Sequence, residues 1–156
     1  RMKIIFLGID GVLNFNGCRE RIDTIYFVND KKLRLLKWIV GRTNARLVLS
    51  STWRLGWFDR DKGLENEEVL IFNRLEEKFK EYGLSFLSKT PVSESGCRGH
   101  EIRAWLYGWE GEPIEFFVIL DDNCDMEPYK GHLVQTSFWH GLRIRDALRA
   151  VRMLAS

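Results

Sequence analysis

Continuous apolar runs alternate along this chain with stretches in which apolar residues recur every three or four positions, the pattern of buried strands alternating with amphipathic helices. Ile4, Ile5, Phe6 and Leu7, in a strand beginning near Lys3, form an unbroken run suited to a central parallel strand covered on both faces. Leu33, Leu36 and Val40 then predict a helix over roughly 30–41, followed by a strand from Ala45 to Leu49. Phe72, Leu75, Phe79 and Tyr82 share one face of a second helix, roughly 67–82, and Leu84 to Leu87 reads as the third strand. A helix over 99–109 carries Ile102, Trp105, Leu106 and Trp109, and a strand runs from Ile114 through Leu120. His132 to Thr136 reads as a short edge strand, and Ile144, Ala147, Leu148 and Val151 lay a last helix on the core. This order predicts an α/β three-layer sandwich around a central, mostly parallel five-stranded sheet. Residues 15–29 leave room for a short hairpin or flap and 55–65 for a loop, so no large cap domain is expected.

Three of these strands end in polar side chains. The first runs into Asp10-Gly11, the Ala45 strand into Ser50-Ser51-Thr52, and the Ile114 strand into Asp121-Asp122-Asn123 with Asp125 just beyond. Asp-Gly is a common turn dipeptide, and a helix N-cap would account for one of the hydroxyls. Yet ligands in open α/β sheets bind in the crevice at the carboxyl ends of strands, and acids packed this closely repel one another unless a hard cation such as Mg2+ lies between them. Arg98 opens the 99–109 helix, where the macrodipole disfavours a cation and an anion bound nearby would account for it.

GIDGV, SSTWR, CRGHEIRAWL and VILDDN, in this order, resemble the four motifs of the haloacid-dehalogenase superfamily of phosphotransferases. More narrowly, SSTWR, the RGHEI-x-x-WL helix and the LDD turn resemble the small capless domains of multi-domain RNA repair proteins. The resemblance covers Lys3 to Leu154 and implies a haloacid-dehalogenase-like, Rossmannoid fold. It implies that Asp10 is the general acid and base, that Ser50, with Ser51 as the alternative, binds a phosphoryl oxygen, and that Arg98 neutralises developing charge. Asp121, Asp122 and the Asp10 carbonyl would bind Mg2+, with Asp125 as a further candidate. Gly11, Ser51 and Arg54 are the candidate substrate contacts. The family's nucleophile, an aspartate that forms an aspartyl-phosphate, falls on Gly8, which has no side chain to attack phosphorus and none to bind the metal.

Two readings of Gly8 follow. Arg1 ahead of Met2 looks like a residue left by cloning, and on that reading Gly8 replaces the nucleophile in an otherwise complete set. On the other, Gly8 is natural and the domain binds phosphate esters without cleaving them. Either way, the chain is expected to be almost inactive as a phosphatase.

At 156 residues, 45% hydrophobic, the chain has material for one full core, and a single domain is expected. It shows no apolar run of membrane-spanning length, no leader, no repeat and no low-complexity tract, so a soluble protein without a membrane partner is expected. Cys18, Cys97 and Cys124 have neither disulfide-framework nor zinc spacing, which favours a reducing cytoplasm. His100, His132 and His140 also lack metal-ligand spacing. The formal charge of +2 is too small to predict polyanion binding, and Arg145, Arg149 and Arg152 read as a solvated face.

An open site suits a large phosphate-ester substrate. RNA or DNA ends are the first choice, from the resemblance and from Arg54, Trp57, Phe58 and Arg60 beside the site. Trp53, Trp57 and Phe58 are the candidate base stackers, the other aromatic residues being mostly core. A phosphoprotein phosphatase would share the open site, but such enzymes usually carry threonine where Val12 stands. Oligomeric state is not legible in the sequence.

Overall fold

The computed structural model describes residues 1–155. Strands β1 (Met2–Leu7), β4 (Arg46–Leu49), β5 (Phe86–Lys89), β6 (Ile114–Asp121) and β7 (Leu133–Gln135) form one all-parallel sheet in the order β5-β4-β1-β6-β7. Between β1 and β4, strands β2 (Arg21–Ile22) and β3 (Ile25–Tyr26) pair as a small antiparallel hairpin, the flap that residues 15–29 had room for. Among the described residues five α-helices complete the α/β sandwich: α1 (Asp30–Thr43), α2 (Arg54–Asp61), α3 (Glu67–Glu81), α4 (Arg98–Gly108) and α5 (Ile144–Ala155). No large cap is inserted, and no helix among the described residues is long and apolar enough to cross a membrane.

Residue alternation along β1 divides the core. Ile5 and Leu7 face a cluster with Leu33, Leu36, Phe72 and Phe79, whereas Ile4 and Phe6 face Ile102 and Trp105 of α4. All four β1 side chains are fully buried, as a strand covered on both faces requires. From β1 the chain moves outward through β4 and β5, then crosses to β6 and β7 on the other side. Strand order therefore reverses at β1, and the crevice beyond its carboxyl end is the topological switch point.

Four sequence expectations are corrected. The 55–65 loop is mostly helix α2, which approaches α3 so closely that a Cβ on Gly56 would lie 2.1 Å from the Glu68 carbonyl oxygen. The third strand begins at Phe86 rather than Leu84, because Leu84 belongs to the end of α3. Gly83 adopts φ +70°, its N–H donates to the Lys80 carbonyl, and the Leu84 N–H donates to the Phe79 carbonyl, a Schellman ending. On α5 the buried stripe is Asp146, Ala147, Ala150 and Leu154, while Ile144 and Leu148 face solvent. Trp57 is not a free base stacker: it lies parallel to Phe72 at 5.2 Å, and Arg60 nearby pairs with Glu76 at 2.9 Å.

Candidate active site

Register brings the polar tips together. Leu7 pairs with Leu49 on one side and with Leu120 on the other, so Gly8 lies between Ser50 and Asp121 on three adjacent strand ends. Backbone hydrogen bonds carry the sheet one residue further, from the Gly8 N–H to the Leu120 carbonyl and from the Ser50 N–H to the Leu7 carbonyl, each at 2.8 Å.

The two side chains flanking Gly8 are buried without all their partners. Ser50 Oγ and Asp121 Oδ2 have no hydrogen-bond partner, although Asp121 Oδ1 accepts the Asn123 N–H at 3.0 Å. A Cβ built on Gly8 would lie 3.1 Å from that same Asp121 Oδ2. Arg98 closes the gap from α4: its Nη1 donates to the Ser50 carbonyl and stands 4.0 Å from Asp121 Oδ2. Buried polar atoms left unpaired carry a cost, one that a bound ligand would relieve.

Asp10 stands on the exposed rim, and both its oxygens are held. Oδ1 accepts from Asn14 Nδ2 at 2.9 Å and Oδ2 from the Trp53 indole N–H at 3.1 Å. Asn14 is fully buried and accepts the Gly11 N–H at 2.9 Å through Oδ1, so one amide orders both the turn and the carboxylate. Asn14→Ala is expected to cost about 1–3 kcal/mol by orphaning that N–H. Urea melts check the stability loss, and lower turnover in a Gly8→Asp background checks the orienting role. Gly11, at φ +75°, leaves the space that Asp122 uses: a Cβ there would lie 2.1 Å from Asp122 Oδ2.

Two candidates play roles other than those expected. Arg54 is 3% exposed and points inward, paired with Glu101 at 2.9 Å and donating to the Thr90, Ser51 and Pro91 carbonyls. A guanidinium with these partners cannot reach a substrate, and it fixes the Ser50-Ser51 tip instead. Asp125 accepts the Arg98 backbone N–H at 3.1 Å and so serves the start of α4. Ser51 Oγ accepts the Trp53 N–H at 3.2 Å, which leaves Ser50 with the free buried hydroxyl. Neither Asn14 nor Trp53 is marked by a sequence motif as a partner of Asp10. Asn14, four residues after the aspartate in a tight turn, was the available signal.

A magnesium ion fits this donor set, short of one ligand. Among the described residues no three His, Cys, Asp or Glu side chains converge into a metal-holding group. Mg2+, however, commonly takes only one or two carboxylates and fills its shell with water and phosphate oxygens. Asp121 Oδ2, Asp122 and the Asp10 carbonyl would supply the protein's share.

Burial, opposed by Arg98, pushes Asp121 from its ordinary 3.8 up to about 7. The fold thus holds a proton that the unfolded chain releases, and Asp121's contribution to stability falls as pH rises between those values, then levels off. Thermal melts in chelator from pH 4 to 8 are expected to show this decline, and Asp121→Asn to flatten it. Added Mg2+ should raise the midpoint more at pH 7.5 than at pH 5.

Parallel strand tips that bring a carboxylate, a buried hydroxyl, a guanidinium and paired acids to one crevice are those of a haloacid-dehalogenase-like domain. The chain belongs to the family described as the HAD domain in Swiss Army Knife RNA repair proteins, which it matches over residues 4–147. Neither a curated protein nor a solved structure matches it.

Proposed function

We propose that this domain descends from an Mg2+-dependent phosphomonoester hydrolase acting on a nucleic-acid end, and that with glycine at position 8 it binds the phosphoryl group without cleaving it. The observation that carries this reading is the pair of unsatisfied buried oxygens, Ser50 Oγ and Asp121 Oδ2, on either side of Gly8. The Ser50 hydroxyl donates to a phosphoryl oxygen, and Arg98, already spanning Ser50 and Asp121, meets its negative charge. Asp10 lies on the solvent side, its carboxyl oriented by Asn14 and Trp53 for proton transfer at the leaving oxygen. When bound, Mg2+ would supply charge neutralisation at the phosphate. Gly8 offers no nucleophile, so the covalent step does not start.

The chain is therefore expected to bind inorganic phosphate in Mg2+ while releasing no product from p-nitrophenyl phosphate. Gly8→Asp is the deciding variant. Turnover supports descent from an enzyme. A folded but inert variant favours a domain kept for phosphate binding, with Gly8 as its working residue.

A further inference from the structure

We infer that the loop after β7 carries a base-stacking platform, Trp139 with Phe138, for the terminal nucleotide of a single-stranded nucleic acid whose end phosphate sits at Gly8. This rests on the phosphomonoester reading and names what that site recognises beyond the phosphate. Among the described residues the exposed large aromatic side chains are Trp38, Tyr107, Phe138 and Trp139, the last 69% exposed. Tyr107 lies in the last turn of α4, toward the edge from which β6 starts, and Trp38 lies in the second half of α1. Only Phe138 and Trp139 follow a strand's carboxyl end, the edge where Gly8, Ser50 and Asp121 lie.

Their loop is tied directly to the Asp10 turn. Thr136 Oγ1 donates to the Gly11 carbonyl at 2.6 Å, and the Leu142 N–H donates to the Val12 carbonyl at 2.7 Å. The Asn16 N–H donates to the Phe138 carbonyl at 2.8 Å, and the flap residue Tyr26 sets its ring 5.9 Å from that of Phe138. Gly141, at φ +65°, packs so closely that a Cβ would lie 2.9 Å from the Asn14 carbonyl oxygen. An exposed indole on an anchored backbone is preorganised to stack on a base and loses little entropy in doing so.

A basic cleft adjoins the platform. Its cavity of about 510 Å³ is lined by Phe15, Arg19, Lys31 and Lys32, with Glu20 as the acid. Glu20 is already engaged by Asn29 and Cys18. Lys32 joins cleft to loop, donating from Nζ to the Leu142 carbonyl at 2.7 Å. A stacking surface beside a positive track is the general recipe for holding single strands without reading sequence.

Because the Gly8 chain does not turn substrate over, binding can be measured at equilibrium. RNA hexanucleotides phosphorylated at the 3′ end, phosphorylated at the 5′ end, or at neither, together with inorganic phosphate, are titrated by calorimetry in Mg2+. The end-phosphorylated strand that binds better is expected to lose about tenfold or more in affinity with Trp139→Ala and to keep most of it with Trp139→Phe. Discrimination between that strand and inorganic phosphate should shrink by the same factor. Thermal melts check folding, which an exposed side chain should not disturb. Equal affinity of the unaltered and Trp139→Ala chains for the hexanucleotide would overturn the platform, as would phosphate binding without any oligonucleotide binding. Inorganic phosphate binding and Gly8→Asp turnover of p-nitrophenyl phosphate involve no base and test the phosphomonoester reading alone. If both fail, the platform falls with it.

Discussion

Gly8→Asp is expected to produce the largest change of any single substitution, raising turnover of p-nitrophenyl phosphate in Mg2+ by roughly 10⁴-fold or more, the scale on which losing a covalent nucleophile acts. The backbone at Gly8 is not left-handed, so an L side chain meets no conformational barrier. Space is tighter. The new Cβ would approach Asp121 Oδ2 to 3.1 Å and the Leu120 carbonyl to 3.2 Å, so the Asp121 side chain has to yield by a few tenths of an ångström. A second carboxylate there also repels Asp121 when both are ionised. The variant is therefore expected to melt below the unaltered chain in chelator at pH 7.5 and to recover in Mg2+. A folded, Mg2+-stabilised variant with no turnover would sink descent from an enzyme.

Breaking the Arg54–Glu101 pair is expected to cost the most stability. Both side chains are at least 95% buried, and removing one leaves the other as an uncompensated charge, a loss of about 3–5 kcal/mol. Burial lowers the Arg54 pKa and Glu101 opposes the shift, so each member depends on the other's presence. Arg54→Met and Glu101→Gln, compared by urea denaturation, measure the effect. The double variant should cost less than the two single losses added together. A cost under about 1 kcal/mol for either single variant would place the pair with exposed bridges rather than buried ones. The effect should also reach the site, because Arg54 holds the Ser51 carbonyl at 2.6 Å and Glu101 belongs to α4, which carries Arg98.

The mislocated features share a physical origin. Helix α2 is short and carries a glycine, and it is held by close contact with α3, which local periodicity does not record. Arg54 looked like a site cation because it adjoins the serine tip. Its destination was decided by Glu101, forty-seven residues away in the chain, which supplied a buried counter-charge. Trp57 lies near a strand end in sequence, but the Phe72 ring covers it, whereas Trp139, which follows another strand end, is exposed.

The succession of apolar runs and helical spacings, with acid, hydroxyl and cation at the ends of particular elements, determined the α/β class, most strand positions and the residues on which chemistry could rest. These properties are local, since burial on both faces of a strand and the break at its tip are written in neighbouring residues. Tertiary structure alone decided which of those residues meet. Parallel register set Gly8 between two unsatisfied oxygens, burial turned Arg54 inward, and loop-to-turn hydrogen bonds tied the loop that carries Trp139 to the Asp10 turn. Such pairings depend on contacts between residues far apart in the chain, whose energies exist only once the chain has closed on itself.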